Sequence, residues 1–237
     1  MATKQAVARA RVALAIVALF LVPAMVASAR AAATNSLVSD WLAAQSNLKT
    51  WSADFVQTRS FKSLSEPVQA SGQLSFAAPD RFRWEITHPS PTIALRTGPE
   101  LWVIYPRLKR AERYPLTGTA AGPWRDTLAL LEAGFPQSQA DLESKFMVQS
   151  QTVTNGICAL DLQPRLASAR RMIPRITILF GTNDFTLRAT ELQFADGSTM
   201  RNTFTRSAMN PPLDPELFKP SVGNDFKVTD PTRDGKR

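Results

Sequence analysis

His88 and Cys158 are the only histidine and the only cysteine of the chain, and neither stands where chemistry would need it. Pro89 follows His88 in an expected turn, where a histidine is ordinarily solvated, and no nucleophile or orienting partner lies near it in sequence. Cys158 shares strand parity with Leu160 and Leu162 in Ile157-Cys158-Ala159-Leu160-Asp161-Leu162. A free cysteine in that setting packs as a small hydrophobe, so a buried, inert thiol is expected. A single cysteine also excludes an internal disulfide. No histidine, cysteine and carboxylate cluster has metal-ligand spacing. The ten glycines are scattered and form no phosphate-cradling loop. The glutamates and aspartates fall at outward strand and turn positions. The chain therefore reads as a non-enzyme, with no catalytic residue, metal or cofactor assigned.

Two other features could carry function. Thirteen phenylalanines and five tryptophans fall mainly on strands, at the parity of the apolar face. Periodicity alone does not separate a core from a ligand cavity, since both are lined by the same residue types. Few helical stretches are available to cover such a sheet, so curvature, those helices or a ligand must do so. The second feature is the basic set Arg81, Arg83, Arg96, Arg107, Lys109, Arg110 and Arg113. Alternation sends Arg81 and Arg83 away from Phe82 and Trp84, which predicts a solvated outer face. The functional alternative is a docking surface for lipid headgroups or an acidic partner.

The elements that position these residues follow an export signal. Lys4, Arg9 and Arg11 precede an apolar run from Val12 to Val26, and small residues follow in Ala27-Ser28-Ala29 and Ala31-Ala32-Ala33. This order predicts a signal peptide over residues 1–33, cleaved after Ala29 or Ala33, and hence a periplasmic protein. The run is shorter than the about 20 residues of a spanning helix, and Pro23 interrupts it. Removing it leaves 204 residues, and the formal net charge falls from +8 to +4 with the loss of Lys4, Arg9, Arg11 and Arg30. That modest charge gives no support for nucleic acid as a partner.

An amphipathic helix is expected first, capped at Asn35 or Ser36, with Leu37, Val38, Trp41, Leu42 and Leu48 at helical spacing. The period then becomes two. Trp51, Ala53 and Phe55 alternate with polar residues, as do Val68 to Phe76 and Phe82 to Ile86. Leu101–Tyr105 is apolar on both parities, so both its faces are covered. Lys109–Tyr114 reads as its returning strand and Trp124–Ala133 as a short helix ending at Gly134. Further strands are expected at Phe146–Thr154, Cys158–Gln163, Arg175–Phe180, Leu187–Phe194 and Thr199–Arg206, with hairpin signals at Asn155-Gly156 and Asp196-Gly197. Asp214–Phe218 reads as one helical turn, and residues 230–237 as a loose tail. The expected organisation is one mainly β domain over residues 34–229 with short helices.

These segments in order resemble the LolA family. The resemblance is carried by Ser71-Gly72-Gln73-Leu74-Ser75-Phe76, Pro79-Asp80-Arg81-Phe82-Arg83-Trp84-Glu85, Pro89, and Leu101-Trp102-Val103-Ile104-Tyr105-Pro106. Phe55-Val56-Gln57, the Leu128–Gly134 stretch and Leu213–Phe218 are similar to the family's first strand, lid helix and C-terminal turn. The resemblance implies a curved antiparallel sheet forming an incomplete barrel closed by helices, with an apolar interior. It also implies a monomeric carrier of acylated lipoproteins, loaded by an inner-membrane ATP-driven transporter and unloaded at an outer-membrane receptor. Phe82 and Trp84 match positions that line the family's cavity. Strand parity adds Phe55, Leu74, Phe76, Ile93, Leu95, Trp102 and Ile104. Typical members have an arginine immediately before the turn proline, where this chain has Ala78. That departure keeps a free lipid or glycolipid open as cargo. A lipoprotein-sensing interaction domain is a third reading, although such sensors usually adjoin a second domain.

Overall fold

A computed structural model describes residues 37–116, 136 and 138–231. The expected signal peptide, the cap at Asn35 or Ser36, the Trp124–Ala133 helix and most of the 230–237 tail lie outside the described residues. The chain divides into two compact units, Met1–Trp41 and Leu42–Arg237. A helix, α1, covers residues 37–46. The described part of the first unit is helical, and all strands among the described residues belong to the second. No helix among the described residues is long and apolar enough to cross a membrane.

Most strands form where the alternation predicts them. The strands are β1 (Thr50–Ser60), β2 (Val68–Ala77), β3 (Arg81–His88), β4 (Thr92–Thr97), β5 (Glu100–Tyr105) and β6 (Arg110–Pro115) in the first half. The second half has β7 (Phe146–Thr154), β8 (Ile157–Pro164), β9 (Arg175–Gly181), β10 (Leu187–Gln193), β11 (Thr199–Met209) and β12 (Lys227–Thr229). Of these, β4 and β12 lie outside the expected set. Two short helices, α2 (Gln139–Lys145) and α3 (Ala167–Met172), flank β7 and β8 in sequence. Ser138 caps α2 by accepting a hydrogen bond from the Asp141 amide at 3.1 Å. Asn155 and Gly156 both adopt positive φ, the geometry a two-residue hairpin turn requires.

The twelve strands make one sheet in the order β12-β6-β5-β4-β3-β2-β1-β11-β10-β9-β8-β7. All neighbours are antiparallel except β12, which runs parallel to β6. The sheet is thus two runs of sequential hairpins, β1–β6 and β7–β11, joined by the single pairing of β1 with β11.

Candidate functional site

Register decides which side chains share a face, because successive residues of a strand point to opposite sides. Trp51, Ala53 and Phe55 of β1 pair with Phe76, Leu74 and Gly72 of β2. Those pair in turn with Phe82, Trp84 and Ile86 of β3. On the other side, Phe55 pairs with Phe204 of β11. The same face continues through Leu192 to Ile176 and Leu162, and through Ile178 to Leu160. The result is one apolar face crossing β3-β2-β1-β11-β10-β9-β8.

The aromatic rings on this face converge. Phe55 and Trp84 have ring centroids 4.4 Å apart, with β2 lying between their strands. Trp84 reaches Phe204 at 6.4 Å, edge to face, and Phe204 reaches Trp51 at 5.3 Å. β3 and β11 are three strand spacings apart, about 14 Å in a flat sheet. Rings that meet at less than half that distance lean inward, so this is the concave face of a curved sheet. Such aromatic pairs contribute about 0.5–1.5 kcal/mol beyond their area. Trp51 and Phe55 are fully buried, whereas Trp84 and Ile86 are half-buried.

Gly72 makes the convergence sterically feasible. A Cβ placed there would lie 1.8 Å from the Glu85 carbonyl oxygen. The register also shifts between Ser71 and Gly72, so β2 presses on β3 at a point where no side chain stands between Phe55 and Trp84.

One residue pair further along β1, the concave face turns polar. Gln57, Asn202 and Thr190 are register partners on the concave face. Gln57 Nε2 donates to Asn202 Oδ1 at 2.9 Å, and Asn202 Nδ2 donates to Thr190 Oγ1 at 3.2 Å. Asn202 is buried, and these bonds satisfy both ends of its amide. Cys158 pairs with Phe180 on the same face. Burial pushes its thiol up to about 11, against the opposing Gln151 hydrogen bond, so the sulfur is neutral and unreactive at physiological pH.

The nine expected lining residues do not share one surface. Phe55, Leu74, Phe76, Phe82 and Trp84 lie together on the concave face. Ile93, Leu95, Trp102 and Ile104 lie on the convex face, because Leu95 pairs with Arg83 and Trp102, and Ile93 pairs with Glu85 and Ile104. There Leu95, Trp102 and Ile104 form a second core with Ala77, Ala111 and Phe218, against which Ile93, Leu213, Val222 and Phe226 pack. The C-terminal segment covers these four residues, which corrects the single-lining expectation. The physical reason is that Leu101–Tyr105 is apolar on both parities, so its pattern alone does not assign a side. Leu101 and Val103, the partners of Arg96 and Ala94, are its concave residues. Trp51 and Phe204 are further concave residues not assigned to the lining. The alternation of Met200, Asn202 and Phe204 along β11 carried the signal for the second.

The seven-residue basic set is likewise divided. Arg81, Arg83 and Arg113 stand on the convex face, with Arg81 over the Phe218 ring at 5.3 Å and Arg113 over Trp102 at 5.9 Å. Arg96 and Arg110 stand on the concave face, as partners of Phe82 and Tyr105. Arg107 and Lys109 occupy the β5–β6 connection. His88 is exposed at the end of β3, its Nδ1 3.3 Å from the Thr87 hydroxyl. Among the described residues no group of three histidine, cysteine or carboxylate side chains could hold a metal ion.

Known proteins share this sequence pattern. The profile of a family described as outer membrane lipoprotein carrier protein LolA matches residues 46–221. An outer-membrane lipoprotein carrier protein from Dechloromonas aromatica is 27% identical over 181 residues, covering 76% of this chain and 81% of that protein. One from Cupriavidus taiwanensis is 29% identical over 203 residues, covering 84% and 88%. Among solved structures, an uncharacterized conserved protein from Thermus thermophilus matches with a TM-score of 0.49 at 10% identity, over 84% of this chain and 99% of that one. A LolA superfamily protein from Nitrosomonas europaea matches with a TM-score of 0.40 at 11% identity, over 77% and 97%. The family profile spans most of the chain, and on that ground the chain belongs, as a divergent member, to the LolA family of outer-membrane lipoprotein carrier proteins, which are carriers and not enzymes.

Proposed function

We propose that this chain is an exported periplasmic monomer that shields the acyl chains of lipoproteins on the concave face of its sheet and carries them from the inner to the outer membrane. The observation that supports this reading is the continuous aromatic concave face around Trp51, Phe55, Trp84 and Phe204. An acyl chain gains about 0.8 kcal/mol per buried methylene, so a bare lipoprotein does not cross water, and a carrier needs only apolar wall. Phe55, Leu74, Phe76, Phe82 and Trp84 are the proposed lining, with the half-buried Trp84 and Ile86 the first surface an entering chain meets. Shape-tolerant ring contacts suit a ligand that must also be released. An inner-membrane ATP-driven transporter and an outer-membrane receptor are the partners such a route requires.

Ala78 favours a second reading, a free lipid or glycolipid as cargo. Against it, a guanidinium still serves that turn, because Arg96 lies 3.5 Å from the Asp80 carboxylate. Native mass spectrometry of the chain purified from periplasm after export separates the two. Bound acylated polypeptide is the expected result. Free lipid alone would replace the lipoprotein reading with the second one, and a chain that emerges empty even when lipoprotein is co-expressed would remove both.

A further inference from the structure

The connections of an antiparallel sheet leave alternately at its two ends, and here the two ends differ in chemistry. One end carries the turns at 78–80, 98–99, 155–156 and 182–186. These contain no lysine or arginine and expose no large apolar side chain. The opposite end carries the connections 61–67, 89–91, 106–109, 165–174 and 194–198. They expose Leu64 by 51%, Leu108 by 67%, Leu166 by 56% and Met172 by 42%. They also hold Lys62, Arg107, Lys109, Arg165, Arg170 and Arg171 against Glu66 and Asp196. α2 and the segment before β12 reach the same end and add Lys145 against Asp141, Glu143 and Asp225, so the described residues of this end keep an excess of bases.

Three of these connections are fastened together. The Ala195 amide donates to the Met172 carbonyl at 3.0 Å, joining 194–198 to 165–174. The Arg59 guanidinium lies over Phe61 at 4.7 Å and over Phe194 at 5.4 Å, joining 61–67 to 194–198. Lys109 is ion-paired with Asp225 at 2.9 Å, whereas Arg107 and Arg171 are exposed.

We propose that this end of the sheet docks on an anionic phospholipid bilayer, with Leu64, Leu108, Leu166 and Met172 entering the headgroup layer and the arginines and lysines meeting lipid phosphates. The charge is complementary to an anionic leaflet, and arginine and lysine let their apolar stems lie in the interface while the cation stays at the phosphates. The spacing of the apolar residues selects a membrane over a protein. A protein interface wants a contiguous apolar centre, while these side chains stand singly on separate connections with bases between them. A fluid, planar interface accepts anchors dispersed in that way. The inference is independent of the cargo reading, since it concerns a different surface and needs no bound lipoprotein.

The test is co-sedimentation of the full chain, exported and purified from periplasm with its N-terminus read by mass spectrometry, with vesicles of phosphatidylglycerol and phosphatidylethanolamine. Vesicles of phosphatidylcholine are the comparison. The expected result is sedimentation with the anionic vesicles that salt reverses, and little with phosphatidylcholine. Arg107→Ser with Arg171→Ser is expected to weaken binding about 30-fold, and Leu108→Ser with Leu166→Ser about tenfold, with the urea midpoint unchanged. Equal binding to both vesicle types, or binding indifferent to both pairs of substitutions, overturns the proposal. So does retention on immobilised polyglutamate without sedimentation on anionic vesicles, which would assign this end to an acidic protein.

Discussion

Phe55 and Trp84 touch across an intervening strand, their ring centroids 4.4 Å apart and their planes tilted by 42°. Gly72 is what permits this. Any Cβ at that position meets the backbone of β3, which does not move aside as a flexible side chain would. Gly72→Ala is expected to force β2 from β3 and to cost about 3 kcal/mol or more, measured as a fall in the urea midpoint. An unchanged midpoint would show that the strands approach less closely than described.

Trp84 is half-buried, so its loss is expected to affect cargo more than fold. Trp84→Asp should lower stability by about 1–2 kcal/mol. It should weaken binding of a fluorescent fatty acid by about tenfold or more, because a carboxylate is placed against an acyl chain. Parallel losses in stability and binding would make Trp84 ordinary core.

The convex core gives the complementary experiment. Phe218 is buried against Leu95, Trp102 and Ile104, away from the concave face. Phe218→Ala is expected to cost about 3–4 kcal/mol, while fatty-acid binding by the folded protein stays within about twofold. A large loss of binding at full folding would return Trp102 and Ile104 to the lining.

Asp161 supplies a pH-dependent contribution. Burial opposes its ionisation, but hydrogen bonds from Arg175 (2.6 and 3.1 Å), Ser150 (2.6 Å) and Thr177 (2.7 Å) outweigh this and hold its carboxyl below the ordinary carboxylate value. A depressed folded pKa stabilises the fold above the unfolded value, about 3.9, and that contribution is lost as pH falls through the folded value. Asp161→Asn is expected to lower the urea midpoint at neutral pH and to flatten its decline below about pH 4. Equal acid limbs in the two proteins would remove Asp161 from the pH response.

Alternation was enough to find most strands, because one-face burial writes period two directly into Trp51–Phe55, Val68–Phe76 and Phe82–Ile86. The expected strands at 146–154, 158–163, 175–180, 187–194 and 199–206 agree with β7 to β11 within a few residues. β4 is not among the strands expected from alternation. Its Ile93 and Leu95 are apolar on the convex parity and its concave positions hold Thr92, Ala94 and Arg96, so its pattern marks a buried side without saying which. α3 lacked a signal because Ala167–Met172 has no apolar stripe. The division of the nine site residues required register, which depends on pairing between strands. A shift of one residue moves every side chain to the opposite face, and no local pattern in Leu101–Tyr105 prevents that.

The seam between β1 and β11 governs when the aromatic concave face comes into being. Every other strand pair in β1–β6 and β7–β11 joins neighbours along the chain, so each half can zip up over short loops. Phe55 and Phe204 belong to strands with nine others, β2 to β10, between them in the chain, and closing so long a loop makes their pairing a late, slow event. Trp51, Phe55, Trp84 and Phe204 straddle that seam. A chain emerging N-terminus first therefore has no complete aromatic concave face, the surface proposed to hold acyl chains, until β11 arrives.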